Sequence, residues 1–233
     1  MIEWIFPIKC PICNQIVVPK GEWYHLECIV KLEFLTEPFC KKCGAPINSE
    51  EQEYCTPCIL EHRGWDFGRS IFYYKGIVKR ALYQVKQEGT KEIIYFFTLQ
   101  MKKTQKDYIS IIAPDCLVPV PLHPSKFRKR GFNQAELLAR EFGKELNVPV
   151  RLLLEKNKKT EDQKNLNRLE RKKNIKNVFC VNVAEIKKGI PKSILLIDDV
   201  STTGSTLTEC AKVLKAQGVQ KVSFLTVCAG ESD

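Results

Sequence analysis

The sequence lacks the two features that would place it in a membrane or outside the cell. Among its 233 residues, no apolar run approaches the roughly 18 residues that a membrane-spanning helix needs. The opening stretch MIEWIFPIKC has a Glu and a Pro within a short apolar segment and no basic residues before it, so it does not fit a secretory signal. We therefore expect a cytoplasmic chain without membrane insertion, long enough for one α/β domain and a small module.

Positive charge is scarce at the start of the chain, although the net charge is +10. Residues 1–66 contain 6 Lys and Arg against 10 Asp and Glu, whereas residues 121–180 contain 16 against 7. An ordinary solvated surface mixes the two signs more evenly. The concentration in the middle of the chain is typical of a surface that binds a polyanion.

A disulfide framework is not expected either, because it needs an oxidising compartment. Seven of the eleven cysteines nevertheless lie between Cys10 and Cys58, in two C-x2-C-x11-[HC]-x2-C units that start thirty residues apart. Cys-x2-Cys pairs at this spacing converge on tetrahedral zinc, and four protein ligands leave no position open for a substrate. The predicted ligands of two structural zinc ions are Cys10, Cys13, His25 and Cys28, and then Cys40, Cys43, Cys55 and Cys58.

Alternatives to these tandem sites remain open at this point. Spacing alone also allows an interlaced pairing, in which the two units share their Cys-x2-Cys pairs. A single His such as His25 is ordinarily a surface or packing residue, but it occupies the position that Cys55 holds in the second unit. A redox Cys-x2-Cys is disfavoured because no strand–helix pattern surrounds the cysteines.

From about Ser70 onward, strands alternate with amphipathic helices. The stretches SIFYY, DCLVPVPLHP, ILLI and VSFLTVC predict strands, and the first helix should end at Gly89. Asn133 is expected to cap a later helix, with Glu136 in the reciprocal position. This alternation predicts an α/β fold with a parallel sheet and helices on both faces, preceded by the small zinc-binding module.

The stretch ILLIDDVSTTGST, residues 194–206, places two adjacent carboxylates where a core strand should end. Asp198 and Asp199 repel each other and resist removal from water, so their position suggests a ligand. Parallel sheets bind ligands beyond the carboxyl ends of their strands, and the N–H groups and hydroxyls of Ser201–Thr206 suit a phosphate. There is no Gly-Lys-Thr, which excludes a P-loop. A ribose 5-phosphate would satisfy both features, and the alternative is a helix-capping turn with two exposed acids.

The same stretch resembles the phosphoribosyl pyrophosphate (PRPP) loop of type I phosphoribosyltransferases. The resemblance implies a phosphoribosyltransferase-like domain over residues 67–233, after the zinc-binding module of residues 1–66. It also implies that Mg²⁺ accompanies PRPP, that two carboxylates hold the ribose hydroxyls, and that the loop holds the 5-phosphate. The PRPP-binding residues implied in this way are Asp198, Asp199, Val200, Ser201, Thr202, Thr203, Gly204, Ser205 and Thr206.

The whole chain is similar to the ComF family of competence-associated proteins. The similarity lies in the Cys-rich N-terminus, in VPVPLHPSKFRKRGFNQAELLARE and in the PRPP loop. It implies one loop that holds pyrophosphate and a second, mobile loop that closes over PRPP, although a charged surface loop without a partner is an alternative for the second. The residues implied for these two loops are Pro121, Leu122, His123, Lys158, Lys159, Arg168 and Arg171. Two departures from the family are His25, where many relatives have Cys, and the absence of a Gly near Asn165.

Two functions are compatible with these residues. The resemblance implies a role in natural transformation, in which the protein handles incoming single-stranded DNA in the cytosol beside other competence proteins such as a DNA helicase. A basic segment with interleaved aromatic residues fits this role, because single-strand sites combine charge with stacking. The candidate nucleic-acid residues are Lys126, Phe127, Arg128, Lys129, Arg130 and Phe132. The alternative is an active phosphoribosyltransferase that uses a nucleobase or amine acceptor, but no catalytic residue or acceptor site is identifiable.

Overall fold

The computed structural model describes residues 9–18, 24–47, 49, 51–61, 63–158, 175 and 177–230. The helices of this part of the chain are α1 (Leu26–Val30), α2 (Thr56–Leu60), α3 (Gly76–Glu88), α4 (Lys91–Thr104), α5 (Lys106–Ile112), α6 (Pro124–Arg130), α7 (Gln134–Leu146), α8 (Val183–Ile186) and α9 (Ser205–Lys215). The strands are β1 (Gly68–Tyr73), β2 (Cys116–Pro119), β3 (Leu154–Lys156), β4 (Phe179–Val181), β5 (Ser193–Ser201) and β6 (Lys221–Ala229). Within the described ranges, no helix has both the length and the apolar character that crossing a membrane requires.

Four strands form a parallel sheet in the order β1-β6-β5-β2. Alternate residues of β5 enter two separate apolar cores, because side chains of a strand point to opposite faces in turn. Leu195 and Ile197 lie in one core, and Ile194 and Leu196 lie in the other. A strand that is apolar on both faces needs cover on both faces, so the predicted α/β arrangement is confirmed.

Different elements cover the two faces of the sheet. Buried residues of α3, α4 and α7 pack on one face, including Leu82, Phe97 and Leu138. Helix α9 and a two-stranded antiparallel sheet of β3 and β4 pack on the other, where Leu214 and Phe179 are buried. The sequence did not predict this small sheet, because each of its strands is only three residues long.

The ends of two helices match their predicted signals, with one exception. Gly89 ends α3 in the left-handed conformation at φ 65°, where a residue without a Cβ avoids strain. Asn133 caps α7 by accepting a hydrogen bond from the Ala135 N–H at 3.1 Å. The exception is Glu136, which was expected in the reciprocal capping position. It forms an ion pair instead with Arg140 at 2.7 Å, one turn further along the helix.

The N-terminal module is attached to the free edge of the sheet at β1. The Leu35 N–H donates to the Ile71 carbonyl at 2.7 Å, and the Gly68 N–H donates to the Lys42 carbonyl at 2.7 Å. Leu35 lies between the two cysteine-rich units and Lys42 lies within the second, so both parts of the module supply backbone partners to the outer edge of β1.

Candidate metal centres and anion-binding edge

The eight predicted zinc ligands form two separate groups in the described part of the chain. Within each group the candidate ligand atoms all lie within 4.8 Å of one another. The groups are Cys10, Cys13, His25 and Cys28, and Cys40, Cys43, Cys55 and Cys58. The structure therefore brings the ligands together in tandem, and the interlaced alternative is not what it shows. Three cysteines with one histidine, and four cysteines, are both ligand sets that suit tetrahedral zinc in a closed, structural site.

The orientation of His25 fits a metal ligand. Its Nδ1 atom lies 3.4 Å from the Cys13 sulfur and 3.9 Å from the Cys28 sulfur. Its Nε2 atom lies 3.0 Å from the Ile16 carbonyl oxygen, to which an Nε2–H would donate. A histidine that donates one ring N–H to a carbonyl presents the other nitrogen, unprotonated, to the metal.

The second group is more deeply integrated into the protein than the first. Cys40, Cys55 and Cys58 belong to the same apolar core as residues of α9 and β6. The Cys43 and Cys55 sulfurs lie 3.5 Å apart. The first group has a small cluster of its own around Cys10. Loss of the second metal would therefore disturb the sheet more directly.

The two adjacent carboxylates lie inside β5, which continues past Ile197 and ends at Ser201. Only 9% of Asp198 and 5% of Asp199 are exposed. Lys86, near the end of α3, places its Nζ atom 2.5 Å from a carboxylate oxygen of Asp199. The strand thus carries a buried pair of acids, for which Lys86 is the direct basic partner within the described part of the chain.

The surroundings shift the two carboxyl pKa values in opposite directions. Burial, and then the charge of Asp199, raise the pKa of Asp198 well above its usual value. Burial would also raise the pKa of Asp199, but the charge of Lys86 and hydrogen bonds from Lys86, Asp198 and Gln134 outweigh it and lower that pKa. The shifts favour a protonated carboxyl at Asp198 and a carboxylate at Asp199, and such a set can both donate to and accept from sugar hydroxyls.

The predicted phosphate loop follows directly, between the end of β5 and the start of α9. Gly204 has φ 69° immediately before the helix, a left-handed conformation that glycine adopts without strain. The Thr203 hydroxyl lies 2.8 Å from the Ser205 hydroxyl. Backbone N–H groups at the start of an eleven-residue helix, with hydroxyls beside them, form an anion-binding arrangement.

Two further basic residues, Arg130 and Lys156, join Lys86 near these carboxylates, and of the three only Arg130 was among the residues predicted from the sequence. Arg130 donates a hydrogen bond to Gln134. Burial lowers the pKa of Arg130, and the negative charge of Asp199 acts in the opposite direction. Lys156 has a pKa lowered by burial and then by Lys126, with Asp198 acting in the opposite direction. With Lys86, these residues place positive charge from α3, α6 and β3 around the acids. A signal for Lys86 was present, since it lies one turn from the buried Leu82 on the same helix face.

The predicted pyrophosphate loop joins β2 to α6. Pro121, Leu122 and His123 are each partly buried. His123 caps α6, because its Nδ1 atom accepts a hydrogen bond from the Ser125 N–H at 3.1 Å. Of the predicted mobile loop, Lys158 is exposed, and Lys159, Arg168 and Arg171 lie outside the described residues. Their proximity to the carboxylates therefore stays a prediction.

The six candidate nucleic-acid residues divide into two groups. Phe127, Arg128 and Lys129 are exposed on α6. Arg130 turns towards the carboxylates, as described above. Phe132 is partly buried against Gly89, since a Cβ on that glycine would lie 2.9 Å from the Phe132 ring. The exposed group is therefore the part of this segment that faces solvent most fully, and Lys126 is partly buried beside it.

The parallel sheet, together with the acids and the loop at the carboxyl end of β5, defines a phosphoribosyltransferase-type domain, and this domain carries two zinc-ribbon units. Comparison with family models agrees with both parts. The model described as a phosphoribosyl transferase domain matches residues 128–233, and the model described as a double zinc ribbon domain matches residues 1–59.

The chain belongs to the ComF family. It is 31% identical to competence protein ComFC of Bacillus subtilis, across 92% of this chain and 91% of that protein. It is 29% identical to competence protein F of Haemophilus influenzae, across 79% and 82%, respectively. It is also 25% identical to the DNA utilization protein YhgH of Escherichia coli K12, across 95% and 97%. The resemblance drawn from the sequence is thereby confirmed.

Proposed function

We propose that this protein binds PRPP with Mg²⁺ at the carboxyl edge of its sheet and handles incoming single-stranded DNA in the cytosol during natural transformation. One observation carries the PRPP part. A buried pair of acids, Asp198 and Asp199, lies just before a loop whose backbone N–H groups and hydroxyls suit a phosphate. Burying two neighbouring acids in a core is unfavourable, so a ligand that uses them explains their presence.

The chemistry of the edge suits each part of PRPP. The raised pKa of Asp198 favours the protonated form, which can donate to one ribose hydroxyl, and the lowered pKa of Asp199 favours the carboxylate, which can accept from the other. The N–H groups and hydroxyls of the loop would hold the 5-phosphate. Lys86 and Arg130 would balance charge on the pyrophosphate. Mg²⁺ would be held by carboxylate oxygen and PRPP oxygens and would neutralise the pyrophosphate further.

Calorimetric titration of the full chain with PRPP and Mg²⁺ tests this proposal. The parent protein should bind, and the double variant Asp198→Asn, Asp199→Asn should lose about tenfold or more in affinity, because two ribose contacts change their donor and acceptor character. Asp107→Asn, which changes an exposed carboxyl on α5, should bind as the parent does. Circular dichroism would check that the double variant keeps its fold, since Lys86 loses its partner. Equal PRPP affinity of the double variant and the parent contradicts the assignment.

The DNA part is supported by different observations. The exposed group on α6 combines two cations with Phe127, which is 45% exposed, and charge with stacking suits a single strand. The names of the relatives, two competence proteins and a DNA utilization protein, point the same way. We infer a cytosolic protein that acts with other competence proteins, such as a DNA helicase.

An active phosphoribosyltransferase is the second candidate function. The paired acids and the basic residues around them would serve a reaction at C1 of the ribose as well as they serve binding. Release of pyrophosphate from PRPP in the presence of individual nucleobases or ammonia would favour this candidate. PRPP binding without release would favour a binding or regulatory role for the site.

A further inference from the structure

The segment that joins the second cysteine group to β1 reaches into the phosphate loop. Arg63, whose side chain is only 6% exposed, donates from its Nη1 atom to the Thr203 carbonyl oxygen at 2.5 Å. Its Nε atom lies 3.5 Å from a carboxylate oxygen of Glu61. A Cβ added to Gly204 would lie 3.1 Å from Arg63 Nη1, so the guanidinium also contacts the apex of the loop.

The rest of this segment follows the helix that begins at the loop. A Cβ on Gly64 would lie 3.3 Å from the Lys212 side chain and 3.5 Å from the Thr208 carbonyl oxygen. Trp65 is buried in the same apolar core as Leu207 of α9. The joining segment, which contains Arg63, Gly64 and Trp65, therefore packs against α9.

The hydrogen bond from Arg63 fixes the orientation of one peptide unit. In a planar trans peptide the carbonyl and the following N–H point in opposite directions. When Arg63 holds the Thr203 carbonyl, the Gly204 N–H must point away from Arg63. Among the described residues, no backbone acceptor for that N–H is found. The backbone donor that a phosphate would use is thus held ready by a side chain from outside the loop.

The second cysteine group holds Arg63 in turn. Helix α2 begins after Cys55 and contains Cys58, and the Glu61 N–H at its end donates to the Pro57 carbonyl at 3.1 Å. Glu61 then pairs with Arg63. A series of contacts therefore runs from the predicted zinc ligands, through α2 and the Glu61–Arg63 ion pair, to the Thr203 peptide. Burying a guanidinium is costly, and the Thr203 carbonyl and the Glu61 carboxylate are the partners that the described residues provide for it.

We propose that Arg63 is a positioning residue for the phosphate loop, and that the second zinc site holds it in place. The ligand class is a sugar 5-phosphate, so the inference rests on the proposed PRPP function. In this arrangement the zinc ribbon is part of the ligand site, because the loop presents its Gly204 N–H only while the ribbon is folded. The first cysteine group has no comparable described contact with the loop.

The test compares two probes that use different parts of the site. Arg63→Met should weaken binding of ribose 5-phosphate and of PRPP about tenfold, because one charge-assisted hydrogen bond to the loop is lost. It should leave the affinity for pyrophosphate with Mg²⁺ unchanged, since that probe does not need the loop. Arg63→Lys, which can still donate to the Thr203 carbonyl, should recover part of the loss. Arg151→Met is the matched control, because Arg151 also donates to a backbone carbonyl, that of Gly189 at 2.9 Å.

The zinc link has its own test. Cys43→Ser should weaken ribose 5-phosphate binding as Arg63→Met does, and Cys13→Ser should not. If Arg63→Met weakens both probes equally, its role is general stability and the inference is wrong. If the parent binds PRPP, and Arg63→Met binds ribose 5-phosphate as tightly as the parent does, the inference fails while the proposed function stands. If the parent binds neither PRPP nor ribose 5-phosphate, the proposed function fails and this inference falls with it.

Discussion

Asp198 and Asp199 have the same side chain and adjacent positions, yet they contribute to stability with opposite signs. The pKa of Asp198 is raised by burial, so its contribution is fully present below the pKa of the unfolded chain and is lost as pH rises through the folded value. The pKa of Asp199 is lowered because Lys86 outweighs burial. Its contribution is present above the unfolded pKa, which is about 3.9, and is lost as pH falls through the folded value.

We therefore predict that Asp198→Asn stabilises the protein at neutral pH. The amide keeps the shape of the carboxyl but cannot ionise, so the cost of holding a buried acid beside Asp199 disappears. The gain should grow as pH rises from about 4 and should be absent below it. Thermal unfolding at a series of pH values measures this, and each kcal/mol gained corresponds to about 2–4 °C in Tm at this chain length.

The neighbouring substitution provides the comparison. Asp199→Asn removes the partner of Lys86 and should lower Tm at neutral pH, although the chemical change is identical. If both variants shift Tm in the same direction at pH 7, the opposite assignment of the two pKa values is incorrect.

At the scale of elements, the sequence predicted the main sheet and its helices well. Long periodic segments such as α7, and apolar runs such as the core of β5, carry a signal that tertiary structure rarely overrides. The antiparallel pair of β3 and β4 was missed because three residues hold too little periodicity. The sequence placed the end of β5 at Ile197, since charged residues ordinarily leave a strand, but Lys86 allows the strand to continue through Asp199.

The same limit applies to the site. Local motifs indicated the paired acids, the loop that follows them and the two groups of Cys and His side chains, because each is contiguous or regularly spaced. Arg63 was not identified, and neither was Lys86, although its position one turn from Leu82 places it on the buried face of α3. Both lie far along the chain from their partners, and the sequence does not indicate which distant residue a Lys or Arg will meet. Such partners became evident only when the packing of α3 and of the joining segment was known.

Helix α6 gives a prediction about DNA. Binding of a single-stranded oligonucleotide should weaken as salt rises, because each phosphate contact releases about 0.7 of a counterion. Replacing Arg128 and Lys129 with Ala should flatten the slope of log affinity against log salt by about 1.4. Fluorescence anisotropy at several salt concentrations measures that slope.

The control for this helix is a second pair of exposed cations. Arg140 and Lys144 lie on α7, where they form ion pairs with Glu136 and Glu141. Their replacement with Ala should leave the slope unchanged. Equal flattening by both double variants would mean that DNA binding follows net charge and not α6, and an affinity indifferent to salt would remove the DNA proposal.

At the scale of the whole molecule, the two cysteine-rich units and the sheet are parts of one packed structure. The second cysteine group shares a core with α9 and β6. The first group contacts the main core through residues that are only partly buried, such as Tyr24, whose ring lies 5.5 Å from that of Phe96. Metal binding should therefore affect the stability of the entire chain, and the two sites should do so unequally.

We predict two zinc ions per chain and a single unfolding transition that includes both units. Treatment with a strong chelator should lower Tm in one step, because ordered metal ligands are part of the folded state only, and added zinc should restore it. Cys43→Ser should lower Tm more than Cys13→Ser, since the former leaves thiols without a metal inside the shared core. Metal analysis combined with scanning calorimetry measures both. A metal content of one zinc per chain would contradict the paired sites. A separate early transition that leaves the sheet intact would show that the ribbons are not coupled to the sheet. The contacts of Leu35 and Lys42 with β1 would then be too weak to transmit the effect of zinc loss to the sheet.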